Sequence, residues 1–223
     1  MVGNSLITTR WPTHRTGTTR PSCGYAASPN SHHAKGLTPA AWHLALSGLR
    51  RGEIAALKWS DVDLQKGTIA ISRNRLRFGD QVVEGTVKSK ASARKLPLPE
   101  SLASTLKAAR SRQAADKLAM GVAYQSSGYV VVDEAGQALS PHALTSRWSR
   151  MLKAAGVSRV RLHDARHTCG TLMHLENVPI AVIAAWLGHA SSAFTMATYV
   201  HSQDPALAQA AQTLSRAMTK RHM

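Results

Sequence analysis

Between Gly67 and Pro99 the chain changes its rhythm. "GTIAISRNRLRF" alternates like a strand, Gly79-Asp80 reads as a turn, and "QVVEGTV" and "ARKLPLP" follow as two further runs. Alternating runs bounded by turn residues predict strands, because successive side chains of a strand point to opposite faces. On both sides of this block the apolar spacing is helical. The chain is therefore expected to be mainly α with one small antiparallel β-sheet near its front, an α+β fold.

Start and stop signals punctuate the helical parts. "LTPAAWHLALSGLRRGEIAALKWSDVDL" opens with Thr38 as N-cap and Pro39 at the first helical position, breaks near Gly48, and resumes with Glu53, Ile54 and Leu57 on a second helix. In "ESLASTLKAARSRQAADKLA", Leu102, Leu106, Ala109 and Gln113 fall on successive turns of one face. "GYVVVDEAG" predicts a short buried strand or extended segment, and Ser140-Pro141 start a helix that stops at Gly156. Three more helices are expected, from Asp164 to about Asn177, from Pro179 to Leu187, and from Pro205 to about Lys220. Trp59, Trp148 and Trp186 sit at apolar helix positions, and Cys169 lies on an apolar face, so all four are expected to pack in the interior.

Charge narrows the partner. Against 12 acidic residues stand 28 Lys and Arg, a formal charge of +16, so nucleic acid is the first partner to consider. Cys23 and Cys169 form no CxxC pair, which speaks against a disulfide framework or a cysteine zinc site. No apolar run approaches the ~20 residues of a membrane span, and no secretory leader is visible. A cytoplasmic protein is expected, with no membrane partner. Residues 1–36 hold no Asp or Glu and no sustained apolar period, and read as a disordered basic arm.

The stretch "RLHDARHT" poses the chemical question. On a helix His163 and His167 share a face, a spacing that suits zinc, while His163 and Arg166 also stand together and suit an anion. A zincin helix needs a glutamate directly after its first histidine, where this chain has Asp164, and Arg166 adds positive charge beside a would-be cation. The anion reading is the better supported, and no metal or other cofactor is expected.

Four separated stretches, "SGLRRGE", "VKSKASARKLPLP", "RLHDARHT" and "AWLGHASSAFTMATYVH", together resemble the tyrosine recombinases of the phage integrase family. The likeness runs from about Leu37 to Gln203. It implies a DNA strand-exchange enzyme in which Arg50 is the first catalytic arginine, Glu53 supports it, and His163 and Arg166 form the second box with His167 as a helix neighbour. It further implies that His189 is the third-box histidine, Tyr199 the nucleophile, and Lys88 the general acid, with Lys90 the close alternative.

Those residue types fit the reaction. Attack of a tyrosine oxygen on a phosphodiester builds negative charge on the non-bridging oxygens, which planar guanidinium forks stabilise well. A near-neutral histidine can accept the tyrosine proton, and an ammonium can protonate the departing 5'-oxygen. The resulting phosphotyrosine conserves the bond, so rejoining needs neither ATP nor metal.

The resemblance also implies duplex DNA as partner, a homotetramer during synapsis, and possible accessory DNA-bending proteins. It frames residues 37–203 as the catalytic domain and 204–223 as a C-terminal helix, exchanged between protomers or folded back on its own domain. A phage-encoded or bacterial, nucleoid-associated protein is implied. Family members carry a helical DNA clamp ahead of the catalytic domain, and residues 1–36 are too few and too irregular to supply it. Two other readings therefore stand beside a recombinase: an impaired integrase remnant that only binds DNA, and a type IB topoisomerase with the same tyrosine chemistry.

Overall fold

Every second residue of a strand faces the same way, and the chain can stay in a core sheet only while that face is apolar. The computed structural model, which describes residues 39–87 and 92–189, shows where this condition ends. Strand β2 (Thr68–Ile71) buries Ile69 and Ile71 and pairs antiparallel with β1 (Val62–Asp63) on one side and β5 (Arg94–Pro97) on the other. Beyond Ser72 the alternate positions become Arg73, Arg75 and Arg77, which an apolar core cannot accept. Here the chain leaves the core sheet, and β3 (Arg73–Phe78) pairs with β4 (Gln81–Thr86) as a separate exposed ribbon. The expected single sheet is thus two small antiparallel sheets, and the first predicted strand is divided between them.

Helix α1 (Pro39–Leu46) buries Ala40, Ala41, Trp42, Leu44 and Ala45. Its small residues let it lie against both α3 (Glu100–Met120) and α5 (Leu162–Leu175). It ends at Gly48, whose φ of +91° favours glycine; a Cβ there would stand 2.8 Å from Leu187 Cδ2. Helix α2 (Arg51–Ala56) follows and rests on β3 and on α4 (Pro141–Ala154). Its Gly52 sits so close to the ribbon that a Cβ would be 1.8 Å from Asn74 Oδ1 and 2.7 Å from the Arg75 carbonyl oxygen.

The expected stripe of α3 forms the core contact: Leu102, Leu106 and Ala109 are buried. Gln113, one turn further, accepts a hydrogen bond from Trp59 Nε1 at 2.8 Å and donates to the Val130 carbonyl at 2.8 Å. It thereby ties α3 to the buried segment Val130–Val132, which is extended and flanked by the isolated bridges Lys58–Tyr129 and Val132–Ala138 rather than paired as a full strand. Ser140 caps α4 through its side-chain oxygen, and Trp148 meets Trp42 edge-on with ring centroids 5.2 Å apart. Trp148 is buried, whereas Trp59 and Trp186 are half-buried against the core, as is Cys169.

Helix α5 begins two residues earlier than expected, and its C-terminal turn closes on Asn177, whose φ is +59°. The last described helix, α6 (Ile180–Leu187), packs against α5 and β5 and stops at Gly188 in the left-handed conformation. Thr38, the 1–36 arm, and the helix expected from Pro205 lie outside the described residues, as do Lys88, Lys90 and Tyr199. Among the described residues no helix is long and apolar enough to cross a membrane.

Candidate active site

A helix leaves its last four carbonyls without intrahelical partners, and at the end of α6 each of them is met. The glycine turn supplies two closures, from the Gly188 amide to the Ala185 carbonyl at 3.1 Å and from the His189 amide to the Ala184 carbonyl at 3.0 Å. The next three carbonyls each take an arginine. Trp186 accepts from Arg94 Nε at 2.7 Å, Leu187 accepts from Arg166 Nη2, and Gly188 accepts from Arg50 Nη2 at 2.7 Å. Arg166 also donates through Nη1 to the Gly48 carbonyl at 2.5 Å. The negative end of the helix dipole thus gathers three cations that would otherwise repel one another.

Glu53 is the carboxylate at the centre of this cluster. One oxygen accepts from Arg50 Nη1 at 2.8 Å and Arg94 Nη1 at 3.1 Å, and the other from the Arg50 amide at 2.8 Å and Arg94 Nη2 at 3.0 Å. Burial alone would raise its pKa, but the bonds and charge of Arg94, followed by the bonds from Arg50, hold it below the ordinary carboxylate value. One carboxylate for three guanidiniums leaves the cluster positive. Burial first, and then the charge of Arg50, pushes Arg166 down to about 9, so it remains charged at neutral pH.

The histidines surround the same charges. His163 and His167 meet edge-on with centroids 4.8 Å apart. Burial, then His167 and Arg166, lowers the His163 pKa; burial, then Arg166 and Arg50, pushes His189 down to about 4. Both imidazoles are neutral at pH 7 and can accept a proton or a hydrogen bond. Asp164, the residue after His163, is engaged by Arg161, which donates from its amide at 3.0 Å and from Nη2 at 2.8 Å. Among the described residues no group of three or more His, Cys, Asp or Glu is placed to hold a metal.

Beside this cluster opens a cleft of about 760 Å³. Arg50 and His163 line it together with Arg51, Arg75, Arg77 and Arg161. The walls come from α2, the β3–β4 ribbon and the N-terminal ends of α4 and α5, and its arginines are held by three of these, α2, β3 and the start of α5. Arg51, the next residue after Arg50, donates to Thr145 Oγ1 at 3.1 Å.

Of the residues expected from the sequence, Arg50, Glu53, His163, Arg166, His167 and His189 are described and fall in one region. Lys88, Lys90 and Tyr199 lie outside the described residues. Arg94 was not anticipated. Its signal was present in the strand period: Arg94 is in phase with the buried Leu96, so a lone arginine was headed inward and needed an anion to meet it.

This fold has counterparts among known proteins. Residues 27–205 match the phage integrase family, and the chain belongs to that family. It is 32% identical over 181 residues to the tyrosine recombinase XerC-like protein of Caldanaerobacter subterraneus subsp. tengcongensis (strain DSM 15242 / JCM 11007 / NBRC 100824 / MB4), covering 76% of this chain and 46% of that protein. It is 28% identical over 162 residues to the integrase of Staphylococcus phage L54a, covering 70% of this chain and 45% of the other. The chain therefore spans less than half the length of these relatives. Among solved structures, XerA recombinase superposes with a TM-score of 0.56 at 27% identity over 80% of this chain and 55% of that one. The Tn1549 transposon integrase, in complex with transposon right end DNA, shares the fold with a TM-score of 0.66 at 18% identity, covering 79% and 58%.

Proposed function

We propose that the chain is the catalytic domain of a site-specific recombinase that cuts and rejoins duplex DNA through a 3'-phosphotyrosine. The observation that carries this reading is the convergence of Arg50 and Arg166 on neighbouring carbonyls of α6, beside a cleft lined by further arginines and next to two neutral histidines. A net positive, partly buried cluster is suited to a phosphodiester whose charge grows in the transition state.

In the proposed reaction Tyr199 Oη bonds to phosphorus as the bond from phosphorus to the 5'-oxygen breaks. The phenolic proton passes to His163, whose lowered pKa keeps it ready to accept. Arg50 and Arg166 hold the non-bridging oxygens, and His189 hydrogen-bonds the phosphate. Lys88, or Lys90 in its place, donates a proton to the departing 5'-oxygen. Reversal with a new 5'-hydroxyl rejoins the strand, so no cofactor enters.

The partner is duplex DNA. In this reading residues 37–203 are the catalytic unit, 1–36 a disordered basic arm, and 204–223 a C-terminal helix exchanged between protomers of a synaptic tetramer or folded back on its own domain, with DNA-bending proteins as accessories. The test is covalent trapping. The full chain, incubated with nicked duplexes selected for binding from a random-sequence library, should form a protein–DNA adduct that Tyr199→Phe abolishes. An adduct that persists in Tyr199→Phe, or none with the wild-type chain, would overturn the proposal.

A further inference from the structure

We infer that Arg94 is a positioning residue for strand cleavage, acting through Glu53 to hold Arg50 in its phosphate-binding pose; this rests on the recombinase reading above. The Arg94 side chain, 7% exposed, engages the Glu53 carboxylate with both Nη1 and Nη2, whereas Arg166 meets main-chain carbonyls. Its donors face the protein: Nε meets the Trp186 carbonyl, Nη1 meets Glu53 and the Ser92 carbonyl at 3.0 Å, and Nη2 meets Glu53. The planar fork matches the two carboxylate oxygens, a geometry that lysine does not reproduce.

What this contact controls follows from the other side of Glu53. The same two oxygens receive the Arg50 side chain and the Arg50 amide, so the carboxylate is shared between one guanidinium turned inward and one that lines the cleft. With Arg94 in place the carboxylate cannot rotate, and Arg50 is held in one direction. Remove the fork, and Glu53 is free to follow Arg50 rather than fix it. Arg94 also donates to the Ser92 carbonyl, and it reaches the end of α6 just before His189. One side chain therefore joins the start of β5, the Arg50 helix and the approach to His189.

The experiment is a double-mutant cycle on single-turnover adduct formation, using the full chain and nicked duplexes selected by the wild-type protein. Arg94→Lys should slow cleavage by about ten- to a hundredfold while DNA affinity stays within about threefold, because positioning is lost and phosphate attraction is kept. In Arg50→Lys the further change of Arg94 should cost no more than about threefold, since the residue it acts through is already impaired. A merely structural role would instead multiply the two losses and lower DNA binding with them. Should Arg94→Lys fail to fold, Glu53→Asp, which withdraws the carboxylate from both guanidiniums by one methylene, replaces it with the same expected pattern.

Wild-type cleavage with an undiminished or fully multiplicative variant overturns the Arg94 assignment alone. Absence of any adduct with the wild-type chain overturns this assignment and the recombinase reading together.

Discussion

Arg50 and Arg166 differ in what surrounds them, and their variants should differ accordingly. The Arg50 side chain is 35% exposed and its main partner, Glu53, retains Arg94 when Arg50 is changed. Arg166 is 3% exposed and serves two main-chain carbonyls. Arg50→Lys should therefore lower cleavage about a hundredfold with little change in melting temperature. Arg166→Lys should show the same catalytic loss together with a stability loss of about 1–3 kcal/mol, because a buried carbonyl loses its donor. Parallel cleavage assays and thermal melts separate the two.

His189 makes a pH prediction of definite sign. Its folded pKa, about 4, lies below the ordinary 6.5, so the unfolded chain binds more protons between these values, and stability falls as pH drops through them. The melting temperature should decline from pH 7 to pH 5. His189→Asn should flatten that slope in the same measurement.

At the scale of elements, the meeting of α2 with the β3–β4 ribbon depends on Gly52. Gly52→Ala places a methyl group against Asn74 Oδ1 and the Arg75 carbonyl, and should cost about 1–3 kcal/mol in chemical denaturation. Asn74→Gly in the same chain should recover part of that loss but not all, since the Arg75 carbonyl is backbone. The elements also show what the sequence could and could not convey. Helix ends marked by local chemistry, such as Ser140 before α4 and Gly188 after α6, were legible because their causes lie within a few residues. The division of "GTIAISRNRLRF" into two sheets was less so, because period-two alternation continues through Ser72, and the change from Ile69 and Ile71 to Arg73 and Arg75 shows where the apolar face ends without showing that the pairing partner changes there. Arg50, His163 and Arg166 were found through ordered motifs. The third arginine was missed because the strand phase that turns Arg94 inward does not identify its anion, Glu53, which lies 41 residues away.

For the whole molecule, excess positive charge becomes specific only where the fold concentrates it. The cleft brings together arginines from positions as distant as Arg50 and Arg161, and DNA bound there should release counterions in proportion to the phosphates neutralised. Arg51→Ala should weaken binding across sequences and reduce the slope of log affinity against log salt by about 1, read by fluorescence anisotropy at several salt concentrations. An unchanged slope would place the duplex elsewhere on the surface.

The three arginine bonds to the end of α6 also bear on the order in which the protein comes into being. They span 138, 92 and 21 residues of chain, and the bond from Arg166 to Gly48 spans 118. Closures of such length come late in folding, and synthesis runs from the N-terminus. The helix that gathers the guanidiniums therefore leaves the ribosome after all of them. In refolding followed by pulsed hydrogen exchange, the amides of Gly188 and His189 should gain protection after those within α1 and α3. A nascent chain would carry its arginine charge before the helix end that gathers it has been made, and the cluster would come into being only once α6 and its glycine turn are in place.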